Sequence, residues 1–195
     1  MEMFFRVLHN QRLILVTFNL VFFQIVVFGQ NKINWISFEE AMELHDQSPK
    51  KMLIDLYTDW CGWCKQMDNT TFNNPVIIEY INDNYIPVKF NAEQKEMIEF
   101  KGKTYEFVKQ GKRGYHELAL TLTSGQLSYP TYIFLTENLE VIQPLPGYHD
   151  EIQFEMIINY FGGDFYKNTP WNKFKDDFKP KTRAKLNHKT GFRPH

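Results

Sequence analysis

The two cysteines of this 195-residue chain, Cys61 and Cys64, stand two residues apart in "TDWCGWCKQ", residues 58–66, each directly preceded by a tryptophan, Trp60 and Trp63. Thiolates are nucleophiles and soft-metal ligands, so the pair can serve redox exchange or metal binding. A strand that ends at Trp60 and a helix that starts at Cys61 would set the first sulfur over the free N–H groups and positive end of the helix, which favours its thiolate. Cys61 is therefore expected to be the nucleophile. Cys64, one turn further in, is expected to be the more buried of the two and to resolve a mixed disulfide from inside. Disulfide scaffolding is excluded as the purpose, because one bridge here closes only a tiny loop. With 43% hydrophobic and 16% aromatic residues, the chain also fills a core without staples.

Metal chemistry is the rival for the same thiols. Structural zinc wants four ligands, but the chain has no further cysteine, and His45, His116 and His149 show no ligand spacing. A soft metal such as copper, held by both thiolates and one histidine, stays open as an alternative, as does a redox-silent peptide-binding module. No metal site and no cofactor are expected.

The elements that must position the cysteines read as α/β. "SFEEAMELHDQS" has Ser37 and Glu40 in capping-box spacing and apolar Phe38, Ala41, Met42 and Leu44, a helix that Pro49 closes. "MLIDLY", 52–57, is a short apolar strand interrupted by Asp55. "CGWCKQMDNTTF" and "NPVIIEYIND" read as helices, the second opened by Pro75, and "YIPVKFNA" as a strand, giving a parallel βαβ unit. "EFKGKTYEF", 99–107, is expected to be a hairpin and "YHELALTLT", 115–123, a helix. "TYIFLT", 131–136, and "LEVIQPL", 139–145, read as antiparallel strands, and "DEIQFEMIINYF" as a closing helix capped by Asp150. Asp55 lies inside an apolar run, so a buried carboxyl with a raised pKa is expected in preference to a solvated strand-end acid. Its role would be to take or give the Cys64 proton.

With these residues in place, "MLIDLYTDWCGWCK" resembles the strand-to-active-site stretch of the thioredoxin superfamily, with Asp55 six residues before Cys61 where thioredoxins carry a buried carboxylate. "VKFNAE" resembles the family strand that brings a lysine, here Lys89, to that carboxylate. "YPT", 129–131, resembles the cis-proline loop, which would set Tyr129 and Pro130 opposite the cysteines, and Gly147 matches a glycine before the last helix. The likeness is nearest to exported thioredoxin-like proteins related to the carboxy-terminal domain of disulfide-interchange proteins. It implies a thioredoxin fold over residues 31–163, with a central mixed sheet flanked by helices. Catalysis would fall to Cys61, Cys64, Asp55 and Lys89, and substrate contact to Trp60, Trp63, Tyr129 and Pro130.

Two departures stand out. Trp63 replaces the proline that thioredoxin has before its second cysteine. Its backbone N–H is expected to point at the Cys61 sulfur, and its ring to shield that sulfur from water. The stretch before Tyr129 is also longer than a minimal thioredoxin needs, so residues 95–125 hold an insertion before the cis-proline strand, where substrate choice could live.

At the amino terminus, Arg6 and Arg12 precede the uncharged run 13–29, so residues 1–29 are expected to be a cleaved export signal, with a membrane anchor as the alternative. Either places the thiols in a periplasmic or otherwise extracytoplasmic compartment where disulfides persist. Residues 31–163 carry eleven Lys/Arg against nineteen Asp/Glu, and residues 164–195 nine against three. The tail is expected to dock through Trp171 and Phe174 and otherwise stay solvated, with a membrane surface or an acidic partner as the sharper alternative. The expected partners are protein thiols and disulfides and a redox donor. Nucleic acid is not expected, and the chain is expected to be a monomer.

Overall fold

A computed structural model describes residues 32–182; the expected export signal and residues 183–195 lie outside this range. Helix α1 (Phe38–Gln47) begins with the capping box, Ser37 Oγ accepting from the Glu40 N–H and the Glu40 carboxylate from the Ser37 N–H. Strand β1 (Met52–Tyr57) leads into α2 (Gly62–Asn69), and α3 (Pro75–Asn84) returns the chain to β2 (Ile86–Asn91), parallel to β1. Strands β7 (Thr131–Leu135) and β8 (Val141–Pro146) follow antiparallel, so the mixed sheet runs β2-β1-β7-β8. Helix α5 (Glu151–Gly162) closes it, with the Asp150 side chain accepting from the Gln153 N–H.

Side chains alternate across the sheet, which divides the core in two. Met52, Ile54 and Leu56 join Val88, Phe90, Ile133 and Leu135 on the face covered by α1. Leu53 joins Tyr132 and Phe134 on the other, packed by Met67 of α2, by Ile77, Ile78 and Ile81 of α3 and by Phe154 of α5. Asp55 has the parity of Leu53, and Lys89 the opposite parity to Val88 and Phe90. Their register, Asp55 opposite Lys89, therefore brings both to the face that α2 covers.

The helix expected over "CGWCKQMDNTTF" is interrupted. Thr70 leaves helical geometry, and residues Thr71–Asn73 form a separate 3-10 turn in which the buried Thr71 hydroxyl donates to the His149 carbonyl, 2.9 Å. This tertiary contact has no local sequence signal.

The segment between β2 and β7 folds as two small hairpins and a helix. Strands β3 (Ile98–Phe100) and β4 (Lys103–Tyr105) pair around Lys101 and Gly102, both at positive φ, as expected for 99–107. A second hairpin, β5 (Phe107–Gln110) with β6 (Arg113–His116), turns at Gly111. It corrects the reading of 115–123 as wholly helical: Tyr115 and His116 belong to β6, and α4 spans only Glu117–Leu122. The buried His116 ring makes this corner. Its Nδ1 accepts from the Leu118 N–H, which leaves Nε2 to donate to the Glu96 carbonyl, 3.0 Å, while the His116 N–H bonds the Ala92 carbonyl at the end of β2.

Beyond α5, a 3-10 turn (Phe165–Lys167) and α6 (Trp171–Asp177) fold back. Trp171 and Phe174 each lie 5.1 Å from the Tyr160 ring, and the buried Glu155 carboxylate accepts from the Lys181 and Thr182 N–H groups.

Candidate active site

Cys61 and Cys64 form a disulfide with Cα atoms 5.3 Å apart. Cys61 is the N-cap of α2: its Sγ accepts the Cys64 N–H at 3.0 Å, and its own N–H donates to the Thr58 carbonyl. The donor to the sulfur is thus the Cys64 N–H. The expected Trp63 N–H, at N2, does not take this role: an N-cap side chain can accept from N2 or N3, and in this disulfide the sulfur faces N3. The expected difference in burial is also slight, with Cys61 5% and Cys64 3% exposed. Helix position, rather than depth, distinguishes the two sulfurs.

Beneath α2, the Asp55 carboxyl is 1% exposed, and its Oδ2 accepts from Lys89 Nζ at 2.6 Å, while Oδ1 has no partner among the described residues. Burial outweighs the attraction of Lys89 and pushes the Asp55 pKa up to about 6. Burial pulls the Lys89 ammonium down, but Asp55 and a second acid, Asp68, more than offset it and leave it raised. Asp68 lies one turn past Cys64 on α2, with Oδ1 2.6 Å from Lys89 Nζ. Sequence reasoning missed it. The only signal available was i,i+4 spacing from Cys64, which puts both on one helix face. The rings of Trp35, Tyr57 and Phe72, 5.2–5.7 Å from Lys89 Nζ, complete its surroundings.

The Tyr129–Pro130 bond is cis, just before β7, whose first residue Thr131 pairs with Leu56 near the end of β1. Its loop is held by the Thr131 hydroxyl donating to the Ser128 carbonyl, 2.8 Å, and by the Gly147 N–H donating to the Pro130 carbonyl, 2.8 Å. Gly147 has φ +97°, a backbone region that side chains rarely adopt.

The two tryptophans form an exposed rim, Trp60 49% and Trp63 62% exposed. Trp63 leans on Tyr148, ring centroids 5.5 Å apart. Trp60 meets Tyr129 edge-on at 5.7 Å, donates its indole N–H to Glu93 at 3.0 Å and carries the Arg113 guanidinium 4.2 Å from its ring centroid. Arg113 reaches it from the β5–β6 hairpin, a contact no local pattern announces. Among the described residues no group of three or more His, Cys, Asp or Glu side chains is arranged to hold a metal ion.

The mixed sheet and the bridged Cys-x-x-Cys at a helix start define a thioredoxin-class protein. Residues 38–162 match the family described as Thioredoxin-like domain, well over half of the chain, and the protein belongs to that family. An uncharacterized protein of Archaeoglobus fulgidus is 32% identical over 62 residues, 32% of this chain and 49% of that protein. The thiol:disulfide interchange protein DsbD of Photorhabdus laumondii is 29% identical over 70 residues, 34% of this chain and 12% of that protein. This chain thus spans about half the length of the first relative and a small part of the second. A thioredoxin from Thermus thermophilus superposes with a TM-score of 0.51 at 14% identity, over 76% of this chain and 99% of that one.

Proposed function

We propose that this protein is an extracytoplasmic thiol:disulfide oxidoreductase, a reductase or isomerase of protein disulfides. The family fold with its Cys-x-x-Cys pair supports oxidoreductase activity in general. The observation that carries the finer reading is the Cys61 sulfur capping α2 while Asp55, buried and shifted toward neutrality, lies on the sheet face that α2 covers. In the reduced protein the Cys61 thiolate attacks one sulfur of a substrate disulfide, forms a mixed disulfide and expels the other sulfur as a thiolate. Asp55 takes the Cys64 proton. The Cys64 thiolate then attacks Cys61 Sγ, forms the Cys61–Cys64 bond and releases the second substrate thiolate, so two electrons pass to the substrate. Lys89, held by Asp68, keeps the Asp55 carboxylate accessible near neutral pH. Trp60, Trp63, Tyr129 and Pro130 form the surface a substrate segment meets.

Export is supported by Arg6 and Arg12 ahead of the apolar run 13–29. Among the described residues no helix is long and apolar enough to cross a membrane. Partners are protein thiols and disulfides and a donor that re-reduces the pair; nucleic acid is not among them, and the working form is a monomer.

The test is rapid alkylation of the reduced protein across pH, combined with insulin reduction. Cys61 is expected to react faster than Cys64, with an apparent pKa below the ordinary thiol value of about 8.5. Faster reaction of Cys64 at neutral pH would overturn the roles. Absence of insulin reduction would overturn the activity.

A further inference from the structure

The hairpin of β5 and β6 carries Lys109, Lys112 and Arg113 and no acid between Phe107 and His116. All three side chains are exposed, and among the described residues none forms an ion pair. The setting makes this unusual: residues 31–163 hold eleven Lys/Arg against nineteen Asp/Glu, yet five of the eleven fall within residues 101–113, beside a single acid, Glu106. The patch is also fixed beside the reacting bond. Arg113 lies over the ring of Trp60, the residue before Cys61, and Trp60 is held by Glu93 and Tyr129. At its base the hairpin is tied to the sheet by the His116 N–H on the Ala92 carbonyl, 2.7 Å, with the His116 ring 5.5 Å from Phe90.

We propose that the β5–β6 hairpin selects substrates for the disulfide site by binding acidic side chains that flank the target cysteine of a protein partner. This rests on the oxidoreductase reading above. A guanidinium stacked on an indole keeps its N–H edge free for a carboxylate, and stacking lowers the entropy lost on binding. The two lysines add point charges on the same exposed turn. An acidic segment is repelled by most of the domain surface, so the hairpin also sets the side from which it approaches. Glu93 subtracts one charge from this corner, and the selectivity is therefore carried by the three cations together.

The reduced full-length protein is mixed with a peptide whose single cysteine is blocked as the disulfide of 2-mercaptoethanol, in three versions with Glu, Gln or Lys flanking that cysteine. The exchange rate is read as mercaptoethanol release. At low salt the expected order is Glu, Gln, Lys, with about tenfold between the extremes, shrinking to about twofold at 0.5 M salt. The triple variant Lys109→Glu, Lys112→Glu, Arg113→Glu is expected to invert the order. The double variant Lys109→Gln, Lys112→Gln, which keeps the Arg113–Trp60 stack, is expected to show a reduced preference in the original direction. Equal rates for the Glu and Lys peptides, or a ratio unchanged in the triple variant, would overturn the proposal while leaving the activity standing. No exchange with any peptide, the Gln version included, would overturn the oxidoreductase reading and the proposal with it.

Discussion

Replacing Asp55 with asparagine should make stability nearly independent of the titration that Asp55 now imposes. The folded carboxyl has its pKa at about 6 against an ordinary value of 3.8. Between these values the folded state holds a proton that the unfolded state has released, so stability falls as pH rises from about 4 to 6 and is flat above. At about 1.36 kcal/mol for each pH step, the loss in the parent protein is about 3 kcal/mol. Asp55→Asn removes it. Lys89 is not stranded by the change, because Asp68 still accepts from its Nζ at 2.6 Å. The amide fits Lys89 worse than the protonated carboxyl does, a pH-independent offset of about 1 kcal/mol. The discriminating quantity is therefore the stability of the variant relative to the parent at pH 8 minus the same difference at pH 4. Urea unfolding of both proteins at the two pH values should give about 2.5 kcal/mol in favour of the variant, slightly less than the full loss because the unfolded carboxyl is already partly ionised at pH 4. Ionisations common to both proteins cancel in the subtraction. A relative stability that is the same at pH 4 and pH 8 would refute a buried Asp55 with a raised pKa. The same variant should slow release of substrate from the mixed disulfide, since Cys64 loses its proton acceptor.

Gly114→Ala should destabilise the β5–β6 hairpin by about 1–3 kcal/mol, since a Cβ there would collide with the Phe107 ring and the Val108 carbonyl, and thermal unfolding measures it. Glu155→Ala leaves the Lys181 and Thr182 N–H groups without their carboxylate and should cost about 2–4 kcal/mol, with limited proteolysis advancing first at residues 178–182.

Reading the site from the sequence worked where the chemistry is local. The capping box at Ser37 and Glu40, the Asp150 cap, the Pro75 start of α3 and the parity of Asp55 within β1 all follow from neighbours along the chain. It failed where a residue's role depends on a distant partner. Asp68 became part of the Lys89 cluster only because β2 lies beside β1 under α2, and where α2 ends at Thr70 the next residue, Thr71, bonds the distant His149 carbonyl. The β5–β6 hairpin was missed for a related reason. "FVKQGKRGYH" has little apolar alternation, and its strands are stabilised by Gly114 fitting under Phe107 and by His116 docking on Ala92.

The sequence alone therefore determined the chemical identity of the site. Two thiols at a helix start are reactive by backbone geometry that any such segment imposes, and an acid inside an apolar strand is buried by the same alternation that builds the core. The tertiary structure decided the environment: which cation meets Asp55, that the Cys64 N–H faces the Cys61 sulfur, and that Arg113, 53 positions after Trp60, lies over its ring. Packing and hydrogen bonds act through space over a few ångströms, and charge interactions over about 10 Å. The order of residues along a chain fixes those distances only within an element, and between elements they are set by sheet register and by the loops that close upon it.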